Sequence, residues 1–478
     1  MKKLKKLALV LLAVLMTVTA FTGCAPATTT APDTAAPGAD ATAPPDADAG
    51  PEPVTLRWVG FGFEANNHAA DLIARWEYLN PHVTIEYQEL GATADAAGLL
   101  RLDTMIAAGD PIDIVYLTTP DFMHRVVNGA VAPLTAAVNQ HGDNFTADYG
   151  LMANAVTFNG EIYGVPRAGN TFKVFYNRTL ANEHGITVPD QMTFAQFREI
   201  VQQFAQIDGL DWPMIHPSTW VSLTHAPAMV AGWQPVRQEG GEWVPNYDDP
   251  RFMETVGFFR DLAIVDGLAP STSIIAAESI NRRRELAVGN TGLIVDGPFT
   301  LIWLQNFMFN DPGDGIIPFE LGIANLPVLT ETQKTSASYF DLAGSFFATR
   351  NSQNVFEAYR FMRFMVNDNF DVNGVFMPIY TGADMTAAVE VFRNFTDNDG
   401  NEHTDIFPLE TAIAAVAAPN EAHLGVYPMP PDAIPFLGPL DVMLGGEIPV
   451  FFGGEIELEQ FIDNLQQRGR EVIADLSR

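Results

Sequence analysis

The sequence predicts an α/β protein whose mainly parallel sheets are flanked by helices. Three observations predict it. Strand-type and helix-type periods alternate from Val54 onward in the order β-α-β-α-β. A second region of the same kind begins at Thr171. The 478-residue chain is 47% hydrophobic, which is enough to bury the cores of about three domains of ~150 residues each.

Val54 to Val59 alternates in polarity and is rich in β-formers, so it reads as a strand. Gly60-Phe61-Gly62-Phe63 breaks it. His68 to Leu79 places Ala69, Leu72, Ile73, Trp76 and Leu79 at helical spacing, and Asn80-Pro81 stops the helix. Val83 to Tyr87 is the next strand. Leu99 to Ala108 is a helix closed by Gly109-Asp110-Pro111, and Ile112 to Leu117 is a short apolar strand. A right-handed crossover is the expected connection between such strands.

In the second region Thr171 to Tyr176 reads as a strand. Thr193 to Gln206 is a helix with Thr193 at the N-cap and Gln196 at the capping-box position. Pro250 to Val265 is a helix closed by Asp266-Gly267, and Thr291 to Val295 is a short strand. Gln353 to Val366 and Leu458 to Leu476 complete the helices. No internal repeat is visible.

The net charge is −32, with 58 acids against 26 bases. Four of the six lysines (Lys2, Lys3, Lys5 and Lys6) lie in the first six residues, so removal of that segment leaves −36. A field of this sign repels phosphate backbones and excludes nucleic acid as an expected partner. The single cysteine, Cys24, rules out an intrachain disulfide and a cysteine-based zinc cluster.

The chain opens with those basic residues, an apolar run from Leu7 to Val18, and Phe21-Thr22-Gly23-Cys24. Charge, length and order are those of a secretion signal. The run is short for a bilayer span, which takes ~20 residues. Its end resembles a bacterial lipobox, with Phe21 where Leu is usual. That resemblance implies residues 1–23 as a signal peptide and lipidation of Cys24, which becomes the first mature residue. Membrane attachment is then expected through the lipid alone. Residues 24–53 hold no aromatic, Leu, Ile or Met and no core-forming run, so they read as a disordered tether. At ~5–6 Å × √n the tether spans ~30 Å.

Several ordered segments resemble the bacterial extracellular solute-binding proteins of the maltose-binding type, the capture subunits of ABC importers. Trp76 to Ile85 resembles a helix-to-strand passage through asparagine-proline. Asp113 to Tyr116, then Gly129 to Leu134, resembles the next strand and helix end. Asn159-Gly160-Glu161-Ile162-Tyr163-Gly164-Val165-Pro166, followed by Phe175-Tyr176-Asn177-Arg178, is the most specific match. Pro189 to Phe197, Gly292 to Phe299, and Phe347 to Phe364 follow in family order. The resemblance implies a two-lobed periplasmic-binding-protein fold, with a ligand in the cleft between the lobes. It implies hinge crossings near Arg167–Phe172, 339–344 and 378–382. The expected lobes are 54–167 with 341–380, and 168–340 with 381–478.

Ligand candidates are polar and aromatic residues at strand ends and crossings, where α/β clefts bind ligands. Phe61, Phe63 and Glu64 follow the first strand. Thr118 and Thr119, with Asp121 beyond them, follow the third. Asn170 and Asp341 lie at crossings. Trp220 and Trp233 stand in a run holding four of the seven tryptophans, and Asp296 and Phe299 close the Gly292 segment. Aromatic faces cover the apolar faces of sugar rings, and Tyr and Trp add a polar handle. By resemblance the ligand is a sugar or oligosaccharide, the partner an ABC permease, and the protein a monomer without cofactor.

No phosphate loop, H-E-x-x-H helix or G-x-S-x-G elbow occurs. Asp397 to Glu402 suggests a calcium loop but fails its register. With Gly400 at position six, Phe395 and Ile406 fall at positions one and twelve. It reads as a surface turn, and Arg282-Arg283-Arg284 reads as a solvated helix face. Two other functions are weighed: a surface lipoprotein for a protein partner, and a glycoside hydrolase, for which no carboxylate pair stands out.

Overall fold

The computed structural model describes residues 51–61, 69–91, 96–150, 152–215, 233–310, 319–335, 340–369, 377–417, 433 and 436–476. Cys24 and the tether lie outside them.

The first sheet is built on strands β1 (Val54–Gly60), β2 (Val83–Glu89) and β3 (Ile114–Leu117). Helix α1 (Ala69–Leu79) connects β1 to β2, and α2 (Ala96–Ala108) connects β2 to β3. β1 pairs in parallel with both neighbours, Val54 facing Val83 and Trp58 facing Ile114. Helix α3 (Thr119–Val127) follows β3 directly. The sheet is completed by strands from much later in the chain. β4 (Val165–Thr171), β9 (Phe340–Phe347) and β10 (Met377–Pro378) give the order β10-β4-β9-β3-β1-β2.

The second sheet has the order β8-β5-β7-β6. Its strands are β5 (Lys173–Asn177), β6 (Trp212–Ile215), β7 (Thr291–Asp296) and β8 (Leu321–Asn325). Only Phe172 separates β4 of the first sheet from β5 of the second. Where one strand was expected from Thr171 to Tyr176, the chain therefore changes sheet.

Both sheets are mixed, which corrects the expectation of mainly parallel ones. β9 runs antiparallel to β3 and β4, and β5 antiparallel to β7 and β8. The reason is topological: a chain that leaves one sheet and later returns must run in opposite directions at the two passages. Pairing also carries β4 to Thr171, past the boundary expected at residue 167, because its partner β9 starts at Phe340.

Side chains from distant parts of the chain close the first core. The Trp58 ring of β1 lies edge-on to Tyr87 at 5.1 Å, Phe361 at 5.8 Å and Phe346 at 6.2 Å. Phe361 belongs to α8 (Val355–Asn367), which also packs Phe364 on Trp76 at 5.0 Å. The apolar stripe Ala358, Phe361, Met362, Phe364 and Met365 is what the helical period predicts.

On the second sheet, α4 (Phe194–Phe204) starts at a complete capping box. The Thr193 side chain accepts from Gln196 N, and Gln196 Oε1 accepts from Thr193 N. Phe194 then stacks on Phe258 of α5 (Pro250–Ile264) at 4.1 Å. The other face of that sheet is covered by α6 (Arg282–Ala287), α7 (Thr300–Phe309) and α9 (Leu409–Val416). Two C-terminal helices, α10 (Leu437–Phe452) and α11 (Leu458–Leu476), join through Phe451 stacked on Phe461 at 4.1 Å. α10 packs on α5 and also on α3, so it touches layers of both sheets.

Gly344 is required where β9 shifts register against β4. A Cβ there meets the Leu117 carbonyl oxygen at 2.4 Å and the Tyr116 hydroxyl at 2.7 Å. A backbone carbonyl cannot move aside cheaply, so Gly344→Ala should lower stability by about 1–3 kcal/mol. Urea unfolding monitored by tryptophan fluorescence should show the reduced midpoint with an unchanged m-value.

Candidate functional site

Strand register brings the crossing-side ends of both sheets together. Ser345 faces Leu117, so β9 from Phe340 to Gly344 extends past the end of β3 toward the crossing. Thr171 faces Phe340, and Asn170 faces Asp341. In the second sheet Lys173 faces both Asp296 and Asn325. The carboxyl ends of β1, β3, β6, β7 and β8 therefore all point to the crossing. This is where α/β sheets bind ligands.

Lys173 clamps this junction. Its side chain is 3% exposed, and Nζ donates to Asn325 Oδ1 and to the Ala417 carbonyl, both at 2.6 Å. Thr171 Oγ1 donates to the Ala415 carbonyl at 2.8 Å. The crossing strand is thus tied to the end of β8 and to the end of α9. A cavity of about 240 Å³, lined by Lys173, Asp190 and Asn325 among others, lies beside it. Burial pulls the Lys173 ammonium down to about 7.

Asp296 ends β7 and is fully buried. Its carboxylate accepts from Arg282 Nε at 2.9 Å, Arg283 Nε at 2.6 Å, Arg282 Nη2 at 3.0 Å, Arg283 Nη2 at 3.2 Å and Gly297 N at 2.8 Å. A carboxylate offers about four lone-pair sites, so Asp296 has no capacity left for a ligand hydroxyl. It is a positioning residue for two arginines rather than a contact, which corrects that expectation. It equally corrects the reading of Arg282-Arg283-Arg284 as a solvated face. The Arg283 guanidinium lies 4.9 Å from the Phe299 ring centre and 5.5 Å from that of Trp303. Phe299 is half-buried and folds back over Gly297, where a Cβ would come within 2.4 Å of the ring. Trp303 is 43% exposed.

Across the crossing, Thr118 is exposed at the end of β3, and its Oγ1 donates to Asp121 Oδ2 at 2.9 Å. This pair presents polar atoms from the first sheet. Asn170 and Asp341 hold paired backbone positions at the crossing. Phe63, Glu64 and Trp220 lie outside the described residues.

Three further candidates are core. Phe61 is 2% exposed, and its carbonyl accepts from the Tyr87 hydroxyl at 2.8 Å. Thr119 is 1% exposed in the first turn of α3. Trp233 is equally buried, packs on Phe252 at 4.6 Å, and donates Nε1–H to the Asn246 carbonyl at 2.7 Å. A buried indole needs one acceptor for its N–H, and Asn246 supplies it. These three are corrections: each is used for packing, with no surface left for a ligand.

Sequence reasoning missed Lys173, Arg282, Arg283 and Trp303. The run of arginines was visible, but nothing local shows that two of them reach an aspartate on the next strand. Among the described residues no group of His, Cys, Asp and Glu is arranged to hold a metal ion. Asp397 is instead occupied by Asn401, Asp399 N and His403. The His403 hydrogen bond, the largest cause, holds its carboxyl well below the usual range.

The family model for bacterial extracellular solute-binding proteins matches residues 67–369. The chain belongs to that family. Solved structures show the same two-lobed fold. An ABC substrate-binding protein from Listeria monocytogenes, in complex with cycloalternan, is similar with a TM-score of 0.68 at 16% identity. The alignment covers 88% of this chain and 100% of that one. The sugar-binding protein MalE from Xanthomonas citri aligns with a TM-score of 0.65 at 15% identity, covering 88% and 98%. No curated protein sequence matches the chain. No helix among the described residues of this solute-binding protein is long and apolar enough to cross a membrane.

The Lys173 clamp predicts a pH dependence. Unfolded lysine titrates near 10.4, and folded Lys173 near 7. Between these values the unfolded chain binds more protons, so stability should rise with pH from about 7 to about 9.5. The ceiling is ~1.4 kcal/mol per pH unit. Lys173→Met should remove that slope in urea titrations at pH 6.5, 7.5, 8.5 and 9.5. An equal slope in both proteins would show that the lysine is charged throughout.

Proposed function

We propose that this solute-binding protein captures a carbohydrate between its two sheets and delivers it to an ABC permease. The observation that carries the reading is the convergence of strand ends at the crossing. An exposed Thr118–Asp121 pair faces it from one sheet, and an aromatic–arginine group of Phe299, Trp303 and Arg283 from the other. Aromatic rings suit the apolar face of a sugar, and fixed polar atoms suit its hydroxyls. The sugar named in the Xanthomonas relative and the cycloalternan bound by the Listeria relative support the same class.

The lobes are residues 54–171 with 340–380, and 172–339 with 381–478, hinged at the crossings. Ligand is held, not converted, and closure around it creates the form that meets the permease. The protein acts as a monomer outside the cytoplasm, tethered by a lipid on Cys24. Asn170 and Asp341 are proposed as ligand contacts from the crossing, and Phe63, Glu64 and Trp220 as further ligand contacts.

A thermal-shift screen of the mature protein against sugars, amino acids, peptides and polyamines tests the binding role. Ligand at a hundred times its Kd adds ~2.7 kcal/mol, a shift of a few degrees. The expected result is a shift with one carbohydrate class, together with a smaller radius of gyration in solution scattering. A shift with peptides or polyamines alone would replace carbohydrate as the class. For the anchor, Cys24→Ser should release the protein from the membrane fraction into the medium, and the wild type should incorporate labelled palmitate.

A further inference from the structure

We propose that the captured carbohydrate is acidic: a uronate-containing oligosaccharide whose carboxylate is bound by Arg282 and Arg283. The inference rests on the carbohydrate reading and names the ligand class of that same cleft.

The charge balance at the end of β7 is the first observation. Two guanidinium groups share one carboxylate, leaving one positive charge. Among the described residues Asp296 is the ion-pair partner of both arginines, and neither pairs with another carboxylate. Lys173 faces Asp296 in register, so the neighbouring strand adds no acid. This occurs in a chain whose net charge is −32. One arginine held through Nε and Nη2 would satisfy a buried aspartate with two parallel hydrogen bonds. The second arginine exceeds that need.

Donor count is the second. Arginine has five N–H groups. Arg282 and Arg283 each use Nε and Nη2 on Asp296. Nη1 of each has no hydrogen-bond partner among the described residues, and the side chains stay 20% and 16% exposed. Asp296 holds both forks rigidly, so these Nη1 groups are already oriented. Ordering them costs a ligand little.

Placement is the third. Asp296 ends β7 on the crossing side, so its two arginines stand where the strand ends converge. Phe299 and Trp303 flank the Arg283 guanidinium at 4.9 and 5.5 Å. An aromatic face beside an oriented guanidinium suits a pyranose ring bearing a carboxylate. A single excess positive charge matches one carboxylate, and the acidic chain around it disfavours a dianionic phosphate.

The test is calorimetry on the mature protein. The probes are di- and trisaccharides of galacturonate, glucuronate and mannuronate, their neutral methyl esters, and neutral gluco- and galacto-oligosaccharides. The expected result is binding of one uronate series, at least tenfold weaker as the methyl ester and weakened by 0.5 M NaCl. Arg283→Gln should lose at least tenfold affinity while its melting temperature without ligand stays near wild type, because Arg282 still pairs with Asp296. If Arg283→Gln unfolds, Arg283→Lys keeps the charge without the fork and should bind with intermediate affinity. Binding of neutral oligosaccharides alone overturns this inference and leaves the carbohydrate reading standing. Silence toward every saccharide overturns both.

Discussion

The antiparallel pairing of β4 with β9 is the constraint on which the rest of the molecule depends. β4 ends the first passage of the chain through one sheet, and β9 begins its return. Their ladder joins residues about 170 positions apart, because Thr171 faces Phe340. All four strands of the second sheet lie between them in the chain. Without this pairing the first sheet lacks Phe346 against Trp58, and α8 has no strand to follow onto the core. A long-range ladder of this kind closes a large loop, and its entropic cost is offset only when the aromatic core behind it forms as well.

The same ladder decides where chemistry can occur. Because β4 gives way to β5 across Phe172 alone, the two sheets cannot separate far at this point. Their strand ends must face one another. Lys173 adds a second restraint, since one ammonium holds the ends of β8 and α9 to the crossing strand. A buried lysine kept by two neutral acceptors is costly, and its lowered proton affinity expresses that cost. The crossing thus carries polar groups that a simple apolar linker would not need.

Asp296 illustrates how one buried carboxylate organises its surroundings. Its oxygens are filled from within the chain, and it sets the direction of two arginines, and through Arg283 the surroundings of Phe299 and Trp303. Gly297 completes the arrangement by letting the Phe299 ring fold over the backbone. Removing such a residue would release both arginines and disturb the aromatic rings beside them. The membership of the family tells what kind of task this geometry serves.

Much of the local structure was legible in the sequence, because it depends on near neighbours. The capping box at Thr193 and Gln196, the stop at Asn80-Pro81 and the apolar stripe of α8 are properties of a few consecutive residues. The family segments were legible for the same reason, and the net charge alone makes nucleic acid an unexpected partner. Tertiary structure alone decided strand direction, since polarity alternates identically in parallel and antiparallel strands. It alone separated Trp233, a core residue with its N–H satisfied by Asn246, from Trp303, which stands exposed beside Arg283. It alone joined Arg282 and Arg283 to Asp296. Burial and charge pairing arise between residues far apart in the chain, so a linear pattern names the candidates and the fold assigns their work.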